Sequence, residues 1–376
     1  MLTSVLFWLF VSSIAIQCGY ALYFFTRIFN LPRPSANDMP PSRHVSVIIC
    51  AKNEARNLEQ HLPAILAQRY SNESGKPMYE VIVVNDASDD DTEAVLYRLE
   101  QQYSHLWHVT IGKEEPRLFK GKKFALGKGV AHARSSWLLL TDADCAPSSE
   151  NWLGAMVAPL KKGKEIVAGY GAHRFRKGFL NAFVRWETMH TFLQYSTYAM
   201  AGMPYMAVGR NLACTKDIFL KAQQSEIWNA LPSGDDDLLI RICATETNTE
   251  IVADPEAFTF SDTRATWKEW LRQKQRHIST GKFYKKRIQN LLAFYALAHA
   301  LSWILFFILM YWSDWSILFI IMMMRCAIYW TIWQTTVLKL KDKKLFRWFL
   351  FCDIGWMVYN FVLAPYIFWK NKQQWR

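Results

Sequence analysis

Cysteine pairs are missing from this chain. Its seven cysteines stand at positions 18, 50, 145, 214, 243, 326 and 352, and no CxxC or Cys/His spacing among them fits a zinc site. That excludes a disulfide framework and a structural zinc module, and leaves small buried residues in a reducing compartment. No helix-turn-helix, zinc or base-stacking motif accompanies the net charge of +12, so nucleic acid is not expected as a partner. The first apolar run, Leu2 to Phe25, has no basic residues before it; Arg27 follows it instead, the reverse of a signal peptide.

Charge is scarce at both ends. A hydrophobic fraction of 51% with 17 Trp and 24 Phe is too apolar to spread evenly over a water-facing surface. The acids and bases are gathered between about residues 32 and 290. The expected organisation is an N-terminal transmembrane anchor over 1–29, a proline-bearing linker over 30–43, a catalytic domain over 44–265, an amphipathic interfacial segment over 266–290 and a C-terminal transmembrane region over 291–376. The last region holds three apolar runs, Leu291–Trp312, Trp315–Leu338 and Leu345–Trp369. The third either spans or lies in the interface, because crossing it would bury Asp353. Arg27, the stretch Lys268–Arg287 and Lys339–Lys344 place basic residues beside the apolar runs. By the positive-inside rule the central domain faces the cytoplasm at an anionic inner-membrane surface.

Between His44 and Asp262, short β-rich runs alternate with helical patterns, which reads as an α/β domain with a mostly parallel sheet. Val45–Cys50, Val81–Val84 and Trp137–Leu140 are almost continuously apolar, as strands covered by helices on both faces are. Leu58, Leu62, Ile65 and Leu66 mark a helix face between the first two. Each strand runs into polar residues at its C-terminal end, the edge where open α/β sheets bind ligands.

Those ends carry acid. Asn85-Asp86-Ala87-Ser88-Asp89-Asp90-Asp91-Thr92 follows one strand and Asp142-Ala143-Asp144 another. Strand-end carboxylates can accept hydrogen bonds from ribose and base and can ligate a hard cation on a diphosphate; an Asx-rich turn capping the helix from Thr92 is the plainer account of the first motif. Gly234-Asp235-Asp236-Asp237 precedes Leu238, Leu239 and Ile242 at helical spacing. Three adjacent carboxylates repel, so the cluster caps an exposed helix or has counter-charge beside it. Gln273-Lys274-Gln275-Arg276-His277 lies in a basic, Trp-bearing stretch that could also bind a lipid surface without chemistry.

Together these motifs resemble the membrane-bound family 2 glycosyltransferases of the GT-A fold, the branch that includes ceramide glucosyltransferase and, more distantly, hyaluronan and cellulose synthases. The resemblance covers about residues 44–290 and, with the apolar helices, nearly the whole chain. It implies a nucleotide-diphospho-sugar donor, most often a UDP-sugar, bound along Ala51, Asn53 and Glu54, with Asp86 at the base, Lys122 or Lys123 from a Gly-Lys-x-x-Ala-Leu-like segment near the donor, and Gly209, Arg210 and Asn211 flooring the sugar. It further implies Asp142 at the nucleotide and metal, Asp144 as the ligand of Mn²⁺ or Mg²⁺, Asp236 as base with Asp235 beside it, and Gln273, Arg276 and His277 at the acceptor and leaving group. His277 stands where the family usually has Trp, and Asn85 where it usually has Asp.

The expected chemistry is a single inverting displacement in which Asp236 takes the proton of an acceptor hydroxyl, presented by a membrane lipid or a membrane-associated molecule. A processive polysaccharide synthase shares every motif, and a non-catalytic scaffold shares the fold. All readings that include chemistry require Asp86, Asp144, Asp236 and Arg276 to meet in one pocket opening towards lipid headgroups. The aromatics of Phe179–Met200 either form that entrance or pack the domain on the bilayer.

Overall fold

The computed structural model describes residues 1–31, 43–118, 121–230, 234–312 and 315–369, apart from the side chains of 230, 276, 278, 279 and 363–369. In chain order come α1 (Leu2–Tyr23), β1 (Val45–Ala51), α2 (Ala55–Leu66), β2 (Tyr79–Asp86), α3 (Thr92–Glu100), β3 (Leu106–Ile111), α4 (Lys122–His132) and β4 (Trp137–Asp142). Then follow β5 (Ala146–Pro147), α5 (Trp152–Lys161), β6 (Ile166–Gly169), β7 (Gly171–His173), α6 (Phe179–Met200), β8 (Leu212–Thr215), α7 (Lys216–Gln223) and α8 (Asp235–Cys243). The chain ends with β9 (Thr249–Val252), β10 (Thr259–Ser261), α9 (Trp267–Ile278), α10 (Lys286–Leu309), α11 (Trp315–Lys339) and α12 (Phe349–Trp369). The linker expected over 30–43 falls mostly on residues 32–42, outside the described residues.

The main sheet has seven strands in the order β3-β2-β1-β4-β8-β6-β9. The first four are parallel; β8 runs antiparallel to both β4 and β6, making the sheet mixed. β1 and β2 are buried at every position. Their alternate side chains feed two cores: Val47, Ile49, Val81 and Val83 pack with α2, α3 and α5, while Ile48, Ile82 and Val84 pack with α4 and α6. The period-two pleat therefore sends apolar residues both ways, which is why these strands are apolar without alternation. A second sheet, β5-β10-β7, stands at the carboxyl end of the first.

Among the described residues three helices are long and apolar enough to cross a membrane: Leu2–Asn30, Lys286–Leu309 and Trp315–Lys339. Phe10, Ile14, Trp303, Phe306, Leu318 and Met322 hold them together, while Trp8, Ile16, Leu297, Phe307, Ile320 and Met324 point outwards, exposed. Such a surface suits an apolar solvent. Lys339 donates to the Phe29 carbonyl at 3.0 Å, and Arg185 of α6 pairs with Asp342 just beyond α11. The basic ends of α1 and α11 thus meet beside the α/β domain. α12, for which the sequence left spanning and interfacial placement open, packs on α6, α9 and α10.

Candidate active site

β1, β2 and β4 end level with one another, because Ala51 pairs with Asn85 and Cys50 with Asp142. A cleft of about 960 Å³ opens at this edge. Glu54 and Lys52 reach it from the turn after β1, Lys122 from the first turn of α4, Asp142 and Asp144 from the end of β4, and Gly209, Arg210, Asp235 and Asp236 from the far side. Gln273 and His277 of α9 close it. It then continues past Thr188 and Thr191 of α6 and along α10 to Ala296, inside a helix of membrane-spanning length.

Asp142, Asp144 and Cys145 bring one ligand atom each within 4.8 Å of one another. Burial, and then Asp142, raise the carboxyl of Asp144, and burial raises Glu54. A cation among these acids would relieve both penalties. Burial pushes the Cys145 thiol well above its ordinary range, and the two carboxylates beside it are the hard oxygen donors that suit Mg²⁺ or Mn²⁺. Lys122 pairs with Asp142. Burial alone would lower its ammonium, but Asp142 and Asp235 overcome that and hold it charged.

The acid triplet opens α8, after Gly234 in the left-handed conformation. A Cβ at Gly234 would stand 2.3 Å from Thr280 Cγ2, so this entry needs glycine on two counts. Asp236 Oδ2 accepts from the Gly209 amide at 2.7 Å and Oδ1 from the Asp237 amide at 2.9 Å. Burial first, then Asp235, push its pKa up to about 6 against those bonds. Asp237, also on the cleft wall, accepts from Thr280 Oγ1 at 2.5 Å and from Tyr284 at 3.1 Å. The triplet is therefore not a cap on an exposed helix: Asp235 and Asp237 are buried.

Other expected site residues lie elsewhere. Asp86 is fully buried and does not line the cleft; both its oxygens are taken by Arg117, at 2.6 and 3.2 Å. Within the same motif Asp90 serves the plainer role, accepting from the amides of Thr92 and Ala55 at the starts of α3 and α2. Asn53, at φ 57°, joins the two turns by accepting from the Asp89 amide at 2.7 Å, and Ala51 is buried in β1. Lys123 points inwards, donating to the Trp228 carbonyl at 2.6 Å, with burial lowering its pKa to about 8. Asn211 is fully buried, its amide donating to Tyr170 and Ala257 and accepting from Trp152. Of the donor positions expected, Lys123 and Asn211 do not line the cleft. Arg276 is placed on α9, but its side chain lies outside the described residues.

Sequence reasoning missed Arg264, His173 and the Lys274–Glu187 pair, all on the cleft wall. Burial, then Arg210 and Lys274, hold the His173 imidazole neutral. These residues reach the site through the second sheet and α6, which no local motif announces. Cys145 and Lys274 alone had a signal, standing next to expected residues.

The mixed sheet with helices on both faces is the GT-A fold. Residues 46–210 match the model of glycosyl transferase family 2, and residues 159–334 match that of glycosyl transferase family group 2. Over these two stretches the chain is similar to family 2 glycosyltransferases. It is 28% identical over 255 residues to the probable glycosyltransferase YdaM of Bacillus subtilis, covering 66% of this chain and 57% of that protein. To the dolichyl-phosphate beta-glucosyltransferase of Drosophila melanogaster it is 33% identical over 172 residues, covering 42% of this chain and 50% of that one. The chain spans about half the length of these relatives. In fold it is similar to the mannosyltransferase PcManGT of Pyrobaculum calidifontis, solved with GDP-Man and Mn²⁺, at a TM-score of 0.62 and 16% identity over 99% of this chain and 100% of that one.

Proposed function

We propose that the chain transfers a sugar from a nucleotide diphosphate, uridine being the base its resemblance favours, to a hydroxyl of a membrane lipid or membrane-associated acceptor, with inversion, at the cytoplasmic face of the inner membrane. The observation that carries this is a single cleft with Asp142, Asp144 and Asp236 on one stretch of wall and spanning helix α10 on the next. Donor chemistry and a lipid-embedded acceptor can therefore share one space.

In this reading Asp236 takes the acceptor proton as the oxygen attacks the anomeric carbon, and its two amide partners keep the carboxylate aimed. Asp142 and Asp144 would hold the divalent ion, which when bound screens the diphosphate as it leaves. Arg210, Arg264 and Lys52 share that wall and add positive charge where the diphosphate's charge grows; Arg276 joins them by resemblance. Asp86 reads the base only when Arg117 yields or shares its carboxylate. The relatives named for dolichyl phosphate support a lipid-linked acceptor, and the adjacent basic ends of α1 and α11 support a cytoplasmic, anionic surface. Nothing in the cleft favours a polymer over a single addition, and product length separates the two.

Full-length protein screened against nucleotide sugars with Mn²⁺ or Mg²⁺ should release free nucleotide with one donor and stop on chelation. Asp236→Asn should fold, bind that donor and lose transfer by roughly a hundredfold or more, the range of a general base. A folded variant with near-normal turnover would take Asp236 out of this role.

A further inference from the structure

Around the last acid of the triplet there are more hydrogen-bond contacts than the hydroxyls there can supply with protons. Asp237, in the first turn of α8, is 7% exposed. Its Oδ2 stands 2.5 Å from Thr280 Oγ1 and 3.1 Å from the Tyr284 hydroxyl, and Thr280 Oγ1 stands 2.8 Å from the His277 carbonyl oxygen. Each contact needs a proton of its own, and a backbone carbonyl brings none. Thr280 and Tyr284 supply one each. The count closes when Asp237 carries the third. With that proton in place the Thr280 contact reverses: the acid donates to Thr280, Thr280 to the His277 carbonyl, and Tyr284 to Asp237.

The other oxygen of Asp237 gives the same answer. Oδ1 is buried with no hydrogen-bond partner among the described residues, and an unpaired oxygen is far costlier on a buried anion than on a neutral acid. Burial first, then Asp236, raise this carboxyl well above its ordinary range, the direction the proton count requires. Facing it are Asp236 and Asp235 on its own helix, Thr280 and Tyr284 after α9, and Tyr205 after α6. Lys282 lines the same cleft from the turn after α9. α7, also packed on α8, buries Ile218, Phe219 and Ala222 and no charged side chain, and Glu226 in the turn before α8 is exposed. From α4, Lys122 acts on Asp235, and Lys123 on Asp235 and Asp236.

Resting on the glycosyl-transfer reading, we propose that Asp237 is kept as a neutral acid and serves as the positioning residue of Asp236. Its proton ties α8 through Thr280 to the end of α9, the helix whose Gln273 and His277 close the cleft. Its neutrality spares the base a second carboxylate charge. Arg241 makes another tie, donating to the Phe283 carbonyl at 3.0 Å, so this segment keeps an anchor when Asp237 is changed.

Infrared spectra of the full-length protein in an ester-free detergent should show a carboxylic-acid carbonyl band at neutral pH that Asp237→Asn removes. In kinetics Asp237→Asn, which can donate to Thr280 but cannot ionise, should leave the acidic midpoint of kcat near pH 6 and lower kcat by no more than about threefold. Were Asp237 a carboxylate, the same change would remove a like charge and bring that midpoint down by about a unit. Asp237→Leu should lower kcat by about tenfold or more at an unchanged donor KM, because the tie to α9 is lost while the donor is still held from the ends of β1 and β4. If that variant does not fold, Thr280→Val should repeat its effect and Thr280→Ser, which keeps the hydroxyl, should not. A lowered midpoint, equal losses from Asp237→Asn and Asp237→Leu, or no band that depends on Asp237 would overturn the proposal. Failure of the glycosyl-transfer reading shows separately, as a band that vanishes with Asp237 in a protein that releases nucleotide from no donor.

Discussion

Asp236 must be both buried enough to be a useful base and anchored enough to stay aimed. Its two backbone partners favour the ionised form, but burial and Asp235 outweigh them and set the pKa at about 6. The direction of the pH effect follows. A base acts only when deprotonated, and a raised carboxyl pKa means the proton leaves at higher pH, so kcat should fall with a midpoint near pH 6 on acidification and level off above neutrality. A flat kcat profile from pH 5 to neutrality, measured at saturating metal and donor, would contradict that assignment. Gly209 gives a second handle. A Cβ there would lie 3.3 Å from Asp236 Oδ2, close enough that the carboxylate must shift by a few tenths of an ångström. Gly209→Ala should therefore lower kcat by about tenfold with little change in thermal unfolding; equal losses of both would mean that the glycine serves the fold and not the base.

At the scale of elements, the site hangs on β8 being stitched to its surroundings. Asn211 ties β8 to the β6–β7 junction through Tyr170, to the strand entry of β10 through Ala257, and to α5 through Trp152. Asn211→Leu removes three buried bonds and leaves their partners unpaired, so it should cost about 3 kcal/mol or more of stability, read as a lower Tm, before any effect on the nucleotide. A variant of unchanged Tm with weakened donor binding would return Asn211 to the sugar floor. The contrast with β1, β2 and β4 explains what the sequence can and cannot disclose. Those strands are buried on both faces, so their apolar runs and the acids ending them stand out locally. The acid triplet is visible because three adjacent carboxylates are costly. Whether an acid meets the cleft or an arginine is set by a crossover: Asp86 ends a legible strand, yet Arg117, which occupies it, comes from the loop after β3. Lys122 and Lys123 are neighbours in a helix and point to opposite fates, since adjacent helical residues never share a face.

The whole molecule is held together by polar contacts inside its most apolar part. Asp353 on α12 accepts from Arg325 of α11 at 2.7 Å, from His299 of α10 at 3.1 Å and from Trp303 of α10 at 3.0 Å, and Arg325 reaches Gln17 of α1 at 3.3 Å. The acid and the base that stand isolated in the sequence thus meet between helices, and one cluster touches all four of them. Trp356, one turn beyond Asp353, lines the cleft with its ring 4.8 Å from His299, so the same cluster also positions the wall that faces the acceptor. Removing one partner strands a charge where no water can solvate it, which costs about 3–5 kcal/mol, while removing both strands no charge and leaves only the neutral groups of His299, Trp303 and Gln17 without that partner, a smaller cost. Arg325→Met and Asp353→Leu should therefore each lower thermal stability in detergent sharply, and the double variant should be more stable than either. If the double variant were instead as unstable as the sum of the two, the pair would not be coupled, and α12 would owe its place against α10 to apolar contacts alone.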